Sequence, residues 1–369
     1  MLRKAPVIRL NKRPLPPQEV FPLPEINWYP GHMAKSRRML ADQLRGVDAV
    51  IELCDARAPQ ATRNPDLNYL CRGKNRILIL NKADLADDAV TSQWLAHYRG
   101  MGLSPLRFNS TGTRTRDVLA AIEAACAPAV ERMKARGVNK TARLMVIGIP
   151  NVGKSTFINR IFGRSIAQAG DRPGVTRAKQ WVKVGPYLEL LDTPGMLWPK
   201  LSDQGDARML AYLGSIRDEI LDSEGLAIDL VKLLYRLAPE AVCARFRIAP
   251  EDVDPPEPEY DGQWHDVPTV LDAICAGRGW LLAGGRPDIA RASALVLDEF
   301  RAGLVGKISI QRPGDQAVDE APVPVLQAEL DERPAKKRPA PEKAQAGASG
   351  RARSGTARPR VRRGPRDGR

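Results

Sequence analysis

The sequence predicts an α/β protein with a mostly parallel β-sheet, followed by a smaller all-helical region. Up to about residue 200, short apolar runs end in polar turns and alternate with helical stretches; the runs are 49–54, 77–80, 106–108, 144–149 and 187–191. This alternation is typical of βαβ units, in which neighbouring strands are parallel. Beyond residue 200, apolar residues recur instead at helical spacing, over 220–237, 269–275 and 288–300.

The length of the chain predicts more than one folded unit, because 369 residues exceed one ordinary hydrophobic core. From the changes in pattern we expect an N-terminal extension over 1–24, an α/β domain over 25–200, a helical domain over 201–311 and a basic tail over 312–369. The extension is rich in proline and basic residues, and the tail lacks apolar periodicity. We therefore expect both to be disordered.

Composition predicts a cytoplasmic protein that does not enter a membrane. No run approaches the roughly 18–20 apolar residues that a membrane helix needs. The basic N-terminal segment lacks the apolar core of a secretory signal. Five cysteines stand singly, with no CxxC pair. This spacing argues against a zinc site or a disulfide framework and favours a reducing compartment.

The net charge of +14 is concentrated near the C-terminus. Residues 333–369 contain 13 lysines and arginines against two acidic residues, a local net charge of +11. Two interpretations stay open. The tail either only solubilises the protein or is an arm that binds a polyanion. RNA is favoured over a membrane surface because no amphipathic helix accompanies the tail.

The strongest motif is the loop Gly148-Ile-Pro-Asn-Val-Gly-Lys-Ser155, which matches the GxxxxGK[ST] pattern between a predicted strand and a helix. Its glycines let backbone N–H groups fold around phosphate oxygens at a helix N-terminus. Lys154 is the candidate for contact with the β- and γ-phosphates, and Ser155 is the candidate ligand of Mg²⁺. The predicted nucleotide-binding residues of this phosphate loop are Asn151, Val152, Gly153, Lys154, Ser155 and Thr156.

The tetrapeptide Asn81-Lys82-Ala83-Asp84 indicates which base is bound, and it follows directly after the apolar run 77–80. The Asp84 carboxylate can accept hydrogen bonds from N1–H and N2–H of guanine, whereas adenine has neither donor there. A site built to bond such donors can reject an analogue that lacks them by about 10⁴–10⁵. We therefore predict that residues 81–84 read guanine and that the nucleotide is GTP or GDP.

Two further segments predict the parts that respond to the γ-phosphate. Asp192-Thr-Pro-Gly195 follows another predicted strand, so that Asp192 can hold the Mg²⁺ shell and the Gly195 N–H can sense the γ-phosphate. Between this segment and the phosphate loop lies Arg172-Pro-Gly-Val-Thr176, in which Thr176 is the candidate switch threonine. The predicted metal ligands are therefore Ser155, Thr176 and Asp192.

The order of the motifs predicts a circularly permuted P-loop GTPase domain. In ordinary GTPases the phosphate loop comes first and the guanine reader fourth, whereas here 81–84 precede 148–155 and 192–195 come last. A sheet permits this order because it depends on strand adjacency in space, and termini often lie close together. The turn 109–111 (Asn-Ser-Thr) loosely matches the small loop that contacts the base. Ser110 and Thr111 are therefore predicted to lie at the guanine.

These motifs, in this order, resemble the circularly permuted ribosome biogenesis GTPases of the YlqF/RbgA family. The similarity covers about residues 25–311 and includes WYPGHMAKSRR (28–38), DARAP (55–59), DTPGMLWPK (192–200), GGRPD (284–288), DEFRAG (298–303) and GKIS (306–309). The resemblance implies a cytoplasmic GTPase that acts on a late precursor of the large ribosomal subunit. It implies rRNA and ribosomal proteins as partners and stimulation of hydrolysis by the ribosomal particle. Neither a membrane nor DNA is expected as a partner.

One departure from ordinary GTPases concerns the attacking water. Met196 follows the DTPG segment, where a water-positioning glutamine usually stands, and a thioether cannot orient water. The resemblance points to His32 as the replacement and thus as a catalytic candidate beside Lys154. A structural role for His32, in capping or ordering its segment, stays open. The resemblance also makes K⁺ a candidate second ion, held with the help of Asn151.

Two classes of function remain open at this point. The first is an assembly switch that hydrolyses GTP on a precursor ribosome. The second is a GTP-gated RNA-binding scaffold in which hydrolysis is incidental, and both Met196 and the basic tail suit it. A metabolic P-loop kinase is disfavoured, because the guanine-reading tetrapeptide would then have no purpose.

Overall fold

A six-stranded β-sheet organises the computed structural model. The structure describes residues 33–64, 66–137, 141–163, 181–185, 188–191, 204–216, 218, 221–254 and 268–315. None of the helices in this part of the chain is long and apolar enough to cross a membrane. The predicted extension over 1–24 lies outside the described residues, as does the predicted tail from residue 316 onwards.

The strand order in the sheet is β3-β2-β1-β4-β6-β5, and all neighbouring strands are parallel except β5 and β6. This arrangement confirms the predicted α/β class with a mostly parallel sheet. Five strands match the predicted apolar runs, whereas β5 was not predicted. The strands are β1 (Ala49–Asp55), β2 (Asn75–Asn81), β3 (Ser104–Arg107), β4 (Ala142–Gly148), β5 (Trp181–Gly185) and β6 (Leu188–Leu191).

Helices cover both faces of the sheet. Alternate side chains of a strand point to opposite faces, and apolar side chains on each face are buried. In β1, Ile51 and Leu53 lie in one buried cluster with Phe157, whereas Val50 lies in another with Leu44. This two-sided burial explains the continuous apolar runs in the sequence. The helices of this part are α1 (Met33–Leu44), α2 (Pro59–Thr62), α3 (Leu67–Leu70), α4 (Asp88–Gly100), α5 (Thr115–Lys134) and α6 (Lys154–Phe162).

The second part of the described chain is helical, as predicted, and its core continues that of the sheet. Ile51 of the central strand and Leu230 belong to the same buried cluster. Three helices match the predicted ones, and α7 and α9 are additional. The helices are α7 (Gln204–Tyr212), α8 (Ser223–Leu237), α9 (Pro239–Phe246), α10 (Val270–Arg278) and α11 (Ile289–Arg301). The proposed domain boundaries at residues 24, 200 and 311 stay predictions.

After α11 the chain returns to the α/β part through residues 303–311, which we call the return segment. The Ile308 N–H donates to Leu85 O at 3.2 Å, and the Ile310 N–H donates to Arg57 O at 2.9 Å. At its end the buried Gln311 accepts the indole N–H of Trp94 with its backbone oxygen, at 3.1 Å. The return segment therefore lies beside residue 85, directly after the guanine-reading tetrapeptide.

Candidate nucleotide-binding site

The phosphate loop joins the end of β4 to the start of α6, which begins at Lys154. Asn151 and Gly153 adopt left-handed backbone conformations, with φ of 58° and 92°. A Cβ on Gly153 would lie 2.5 Å from the Asn81 side-chain nitrogen, so this close approach also requires glycine. Val152 is buried, Lys154 and Ser155 are half-buried, and Asn151 and Thr156 are exposed. The loop thus presents a helix N-terminus suited to an anion.

The structure brings the guanine-reading tetrapeptide into contact with the phosphate loop. The Asn81 side-chain amide donates to Val152 O at 2.7 Å. The Lys82 ammonium donates to Asn151 O at 2.8 Å. The contact is possible because β1 alone separates β2 from β4, so that both loops leave the same edge of the sheet. Two motifs that lie 71 positions apart in sequence therefore form one site.

The rest of the predicted base pocket lies next to this junction. Ala83 is buried and its N–H donates to Phe108 O at 3.1 Å, which ties the tetrapeptide to the end of β3. Asp84 is half-buried. The neighbouring turn is built by Asn109, whose side-chain oxygen accepts the N–H of Thr113 at 2.8 Å. This geometry leaves Ser110 and Thr111 exposed on the turn.

Several predicted residues lie outside the described part of the chain. These are the catalytic candidate His32, the metal candidates Thr176 and Asp192, the γ-phosphate sensor Gly195, and Met196. Of the three predicted metal ligands only Ser155 is described, and it lies in the first turn of α6. Among the residues that the structure describes, no group of three or more His, Cys, Asp or Glu side chains could hold a metal ion. The hydroxyl oxygen of Ser155 is a hard donor, and with phosphate oxygens it fits Mg²⁺.

A buried ion pair of Asp55 and Arg57 supports the guanine reader, and neither residue was among the predicted site residues. The Asp55 carboxylate accepts from the Arg57 guanidinium at 3.0 and 2.9 Å and also pairs with Lys82 at 3.1 Å. Burial alone would raise the pKa of Asp55, but the charges of Arg57 and Lys82 outweigh it and hold that pKa well below its usual range. Asp55 ends β1 just as Asn81 ends β2. This strand-end position was the sequence signal that could have placed Asp55 at the nucleotide site.

The phosphate loop also contacts the helical region. The Asn151 side-chain amide donates to Gly214 O, in the turn that follows α7. A cleft of about 450 Å³ opens beside this contact, and Lys82, Asp218 and Arg301 contribute to its walls. The side chain of Asn151 thus bonds to the helical region, and its backbone oxygen accepts from Lys82.

Comparison with known proteins identifies relatives of this chain. Residues 143–232 match the family model described as "50S ribosome-binding GTPase". The chain is 41% identical over 299 residues to "Ribosome biogenesis GTPase A" of Bacillus cereus, covering 80% of this chain and 97% of that protein. It is 41% identical over 293 residues to the protein of the same name in Priestia megaterium, covering 79% of this chain and 98% of that protein.

A solved structure described as GNP-bound YlqF from T. maritima is 28% identical to the chain, with a TM-score of 0.49, and covers 76% of this chain and 100% of that one. The near full-length similarity to the curated relatives confirms the resemblance that the order of the motifs indicated. The chain belongs to the ribosome biogenesis GTPase A family and is a GTP hydrolase.

Proposed function

We propose that this GTPase acts in ribosome assembly, on a late precursor of the large ribosomal subunit, and that the particle stimulates its hydrolysis of GTP. The observation that carries the proposal is the 41% identity to proteins named ribosome biogenesis GTPase A over 97% of the length of the Bacillus cereus relative. The contact between the phosphate loop and the guanine-reading tetrapeptide supports the same reading. The partners in this proposal are rRNA and ribosomal proteins in the cytoplasm.

In the proposed mechanism, residues 81–84 bind guanine and the phosphate loop binds the phosphates. Lys154 stabilises the charge that develops on the transferred phosphoryl group. Ser155, Thr176 and Asp192 would hold Mg²⁺, which would supply positive charge to offset that of the phosphates. His32 orients the attacking water, since Met196 cannot. K⁺ beside Asn151 is the proposed second ion.

The basic tail supplies a proposed contact to RNA phosphates. Its local net charge of +11, from 13 basic and two acidic residues over 333–369, makes up most of the chain's +14. Cationic segments of this kind bind polyanions with little sequence preference. The tail would therefore add affinity for the particle without reading a particular RNA sequence.

Turnover of GTP with and without purified large subunits tests the proposal. We expect particles to raise the rate by several orders of magnitude, and Lys154→Ala to remove both intrinsic and stimulated hydrolysis while circular dichroism stays unchanged. Small subunits are the matched control. Specific binding of large subunits without any stimulation would instead support the GTP-gated scaffold, which the basic tail and Met196 favour.

A further inference from the structure

The turn after α7 accepts a side-chain hydrogen bond from the phosphate loop. Asn151, whose left-handed backbone is uncommon for a residue with a side chain, donates its amide N–H to Gly214 O. The Lys82 ammonium donates to the backbone oxygen of Asn151 at 2.8 Å. The conformation of Asn151 is therefore held by one bond from each part of the molecule.

Arg301, at the end of α11, holds this turn in place. Its guanidinium donates to Ala211 O at 2.9 Å and to Tyr212 O at 3.1 Å, the last carbonyls of α7. The same fork pairs with both oxygens of Asp218, at 2.7 and 2.8 Å. The carbonyls at a helix C-terminus have no partner within the helix, and an arginine is well suited to satisfy them.

Gly214 fits this arrangement because of its backbone and its closeness to Arg301. Its φ is +70°, and a Cβ would lie 3.0 Å from the Arg301 Nε atom. A side chain at this position would strain the backbone and press on the guanidinium. The turn is therefore packed directly on Arg301, and the position of the Gly214 oxygen depends on that contact.

A second arginine connects the other side of the phosphate loop to the same helix end. The buried Arg57 donates to Phe300 O at 2.9 Å and to Arg301 O at 3.3 Å, the last carbonyls of α11. Arg57 also donates to the Asp55 carboxylate, and Asp55 pairs with Lys82. Lys82 in turn donates a hydrogen bond to Asn151 O. The end of α11 thus reaches Asn151 by two routes, through Arg301 and through Arg57.

We propose that Arg301 is a positioning residue for the phosphate loop, which it controls through the Gly214 oxygen and the Asn151 amide. Arg301 belongs to the DEFRAG segment (298–303), which is not part of any of the nucleotide-binding motifs. It touches neither the phosphate loop nor the guanine reader by hydrogen bond, so its effect on the nucleotide passes through the α7 turn. The helical region thereby sets how firmly the nucleotide is held.

The dissociation rate of fluorescent mant-GDP, measured by stopped flow without ribosomal particles, tests this proposal. Loss of one positioning hydrogen bond predicts that Arg301→Ala speeds dissociation about 3- to 10-fold. Arg291→Ala is the matched control, because Arg291 lies on the exposed side of the same helix, 4.6 Å from the Trp280 ring centroid. We expect that variant to release mant-GDP at the wild-type rate.

A double-mutant cycle with Asn151→Ala separates positioning from general stabilisation. If Arg301 acts through Asn151, its replacement changes the rate less than about 1.5-fold once Asn151 is alanine. Gly214→Ala provides a second variant with the same expected pattern. Additive effects of Arg301 and Asn151, or an unchanged rate in folded Arg301→Ala and Gly214→Ala, would overturn the proposal. The outcome depends on nucleotide binding alone and is independent of the ribosomal role proposed above.

Discussion

At the scale of single residues, Asp84 is the side chain on which base selection depends. It lies half-buried at the end of the tetrapeptide whose first two residues contact the phosphate loop. Asp84→Asn should weaken GTP binding by roughly 10²–10⁴, because two charge-assisted bonds at about 1.5–3 kcal/mol each are lost. Binding of xanthosine triphosphate should improve, since an amide N–H can donate to the carbonyl at C2.

Calorimetric titration of both nucleotides into both proteins checks this prediction. Asp88→Asn is a suitable control, because Asp88 is exposed on α4, pairs with Arg107 and Lys307, and is not one of the predicted guanine-binding residues. Wild-type GTP affinity in Asp84→Asn would remove residue 84 from the base pocket.

His32 carries the second prediction at this scale. Because Met196 cannot orient water, we expect His32→Ala to lower particle-stimulated hydrolysis about 10²–10⁴-fold while the affinity for a GTP analogue stays near wild type. The intrinsic rate should change little. His97→Gln is the control, since His97 packs against Trp94 in α4. A stimulated rate within about threefold of wild type would return His32 to a structural role.

At the scale of elements, the return segment caps a helix that cannot cap itself. The N-cap position of α2 is Ala58, which has no side-chain acceptor. The buried Gln311 accepts from the N–H groups of Gln60 and Ala61 at 2.8 and 3.1 Å instead. The C-terminal end of the described chain therefore completes a helix near its beginning.

Gln311→Leu should lower the free energy of unfolding by about 2–3 kcal/mol, because two N–H groups in the first turn of α2 lose their acceptor. Urea denaturation at fixed pH measures the change. Gln60→Ala alters a side chain at the same contact but keeps the backbone donor, so it should cost much less. Equal losses in the two variants would contradict the capping role.

The elements that the sequence predicted are those with a repeating pattern. β1, β2, β4 and β6 are largely buried apolar runs, β3 overlaps a shorter apolar run, and α8, α10 and α11 have helical spacing. β5 escaped prediction because none of its described side chains is buried and the charged, exposed Lys183 interrupts its apolar residues. The motif loops were predictable because each follows a strand.

The contacts around the phosphate loop were not predictable in the same way. The bond from Asn151 ends on a backbone oxygen 63 positions away, and no side-chain pattern identifies an oxygen that every residue has. Asp55 and Arg57 are charged, and such residues are rarely buried unless paired. In the sequence they therefore look like surface residues, although the structure buries both.

At the scale of the whole molecule, most of the net positive charge of the chain lies in residues 333–369. Truncation after Gln311 should leave intrinsic GTP hydrolysis near wild type, since the nucleotide-binding loops and the Gln311 cap remain. Binding to large subunits should weaken, and its dependence on salt should become shallower, because fewer counterions are released from RNA phosphates.

Co-sedimentation with large subunits over a range of salt concentrations measures both effects. A full-length variant with a shuffled tail of the same composition is the matched control, and it should bind like the wild type. If truncation changes neither the affinity nor the salt dependence, the tail only solubilises the protein.

The pairing of Arg57 with the end of α11 also has a consequence for the timing of synthesis. Arg57 and Phe300 are 243 positions apart, and at about 5–20 residues per second a ribosome needs on the order of ten to fifty seconds to pass from one to the other. In the later part of that interval the nascent chain holds both nucleotide loops, while the Arg57 side chain still lacks the Phe300 and Arg301 carbonyls that accept its Nη1 group in the folded protein. The guanine reader is thus made early and the α11 carbonyls that bind Arg57 are made late, so the contacts around the phosphate loop are complete only after most of the chain has been translated.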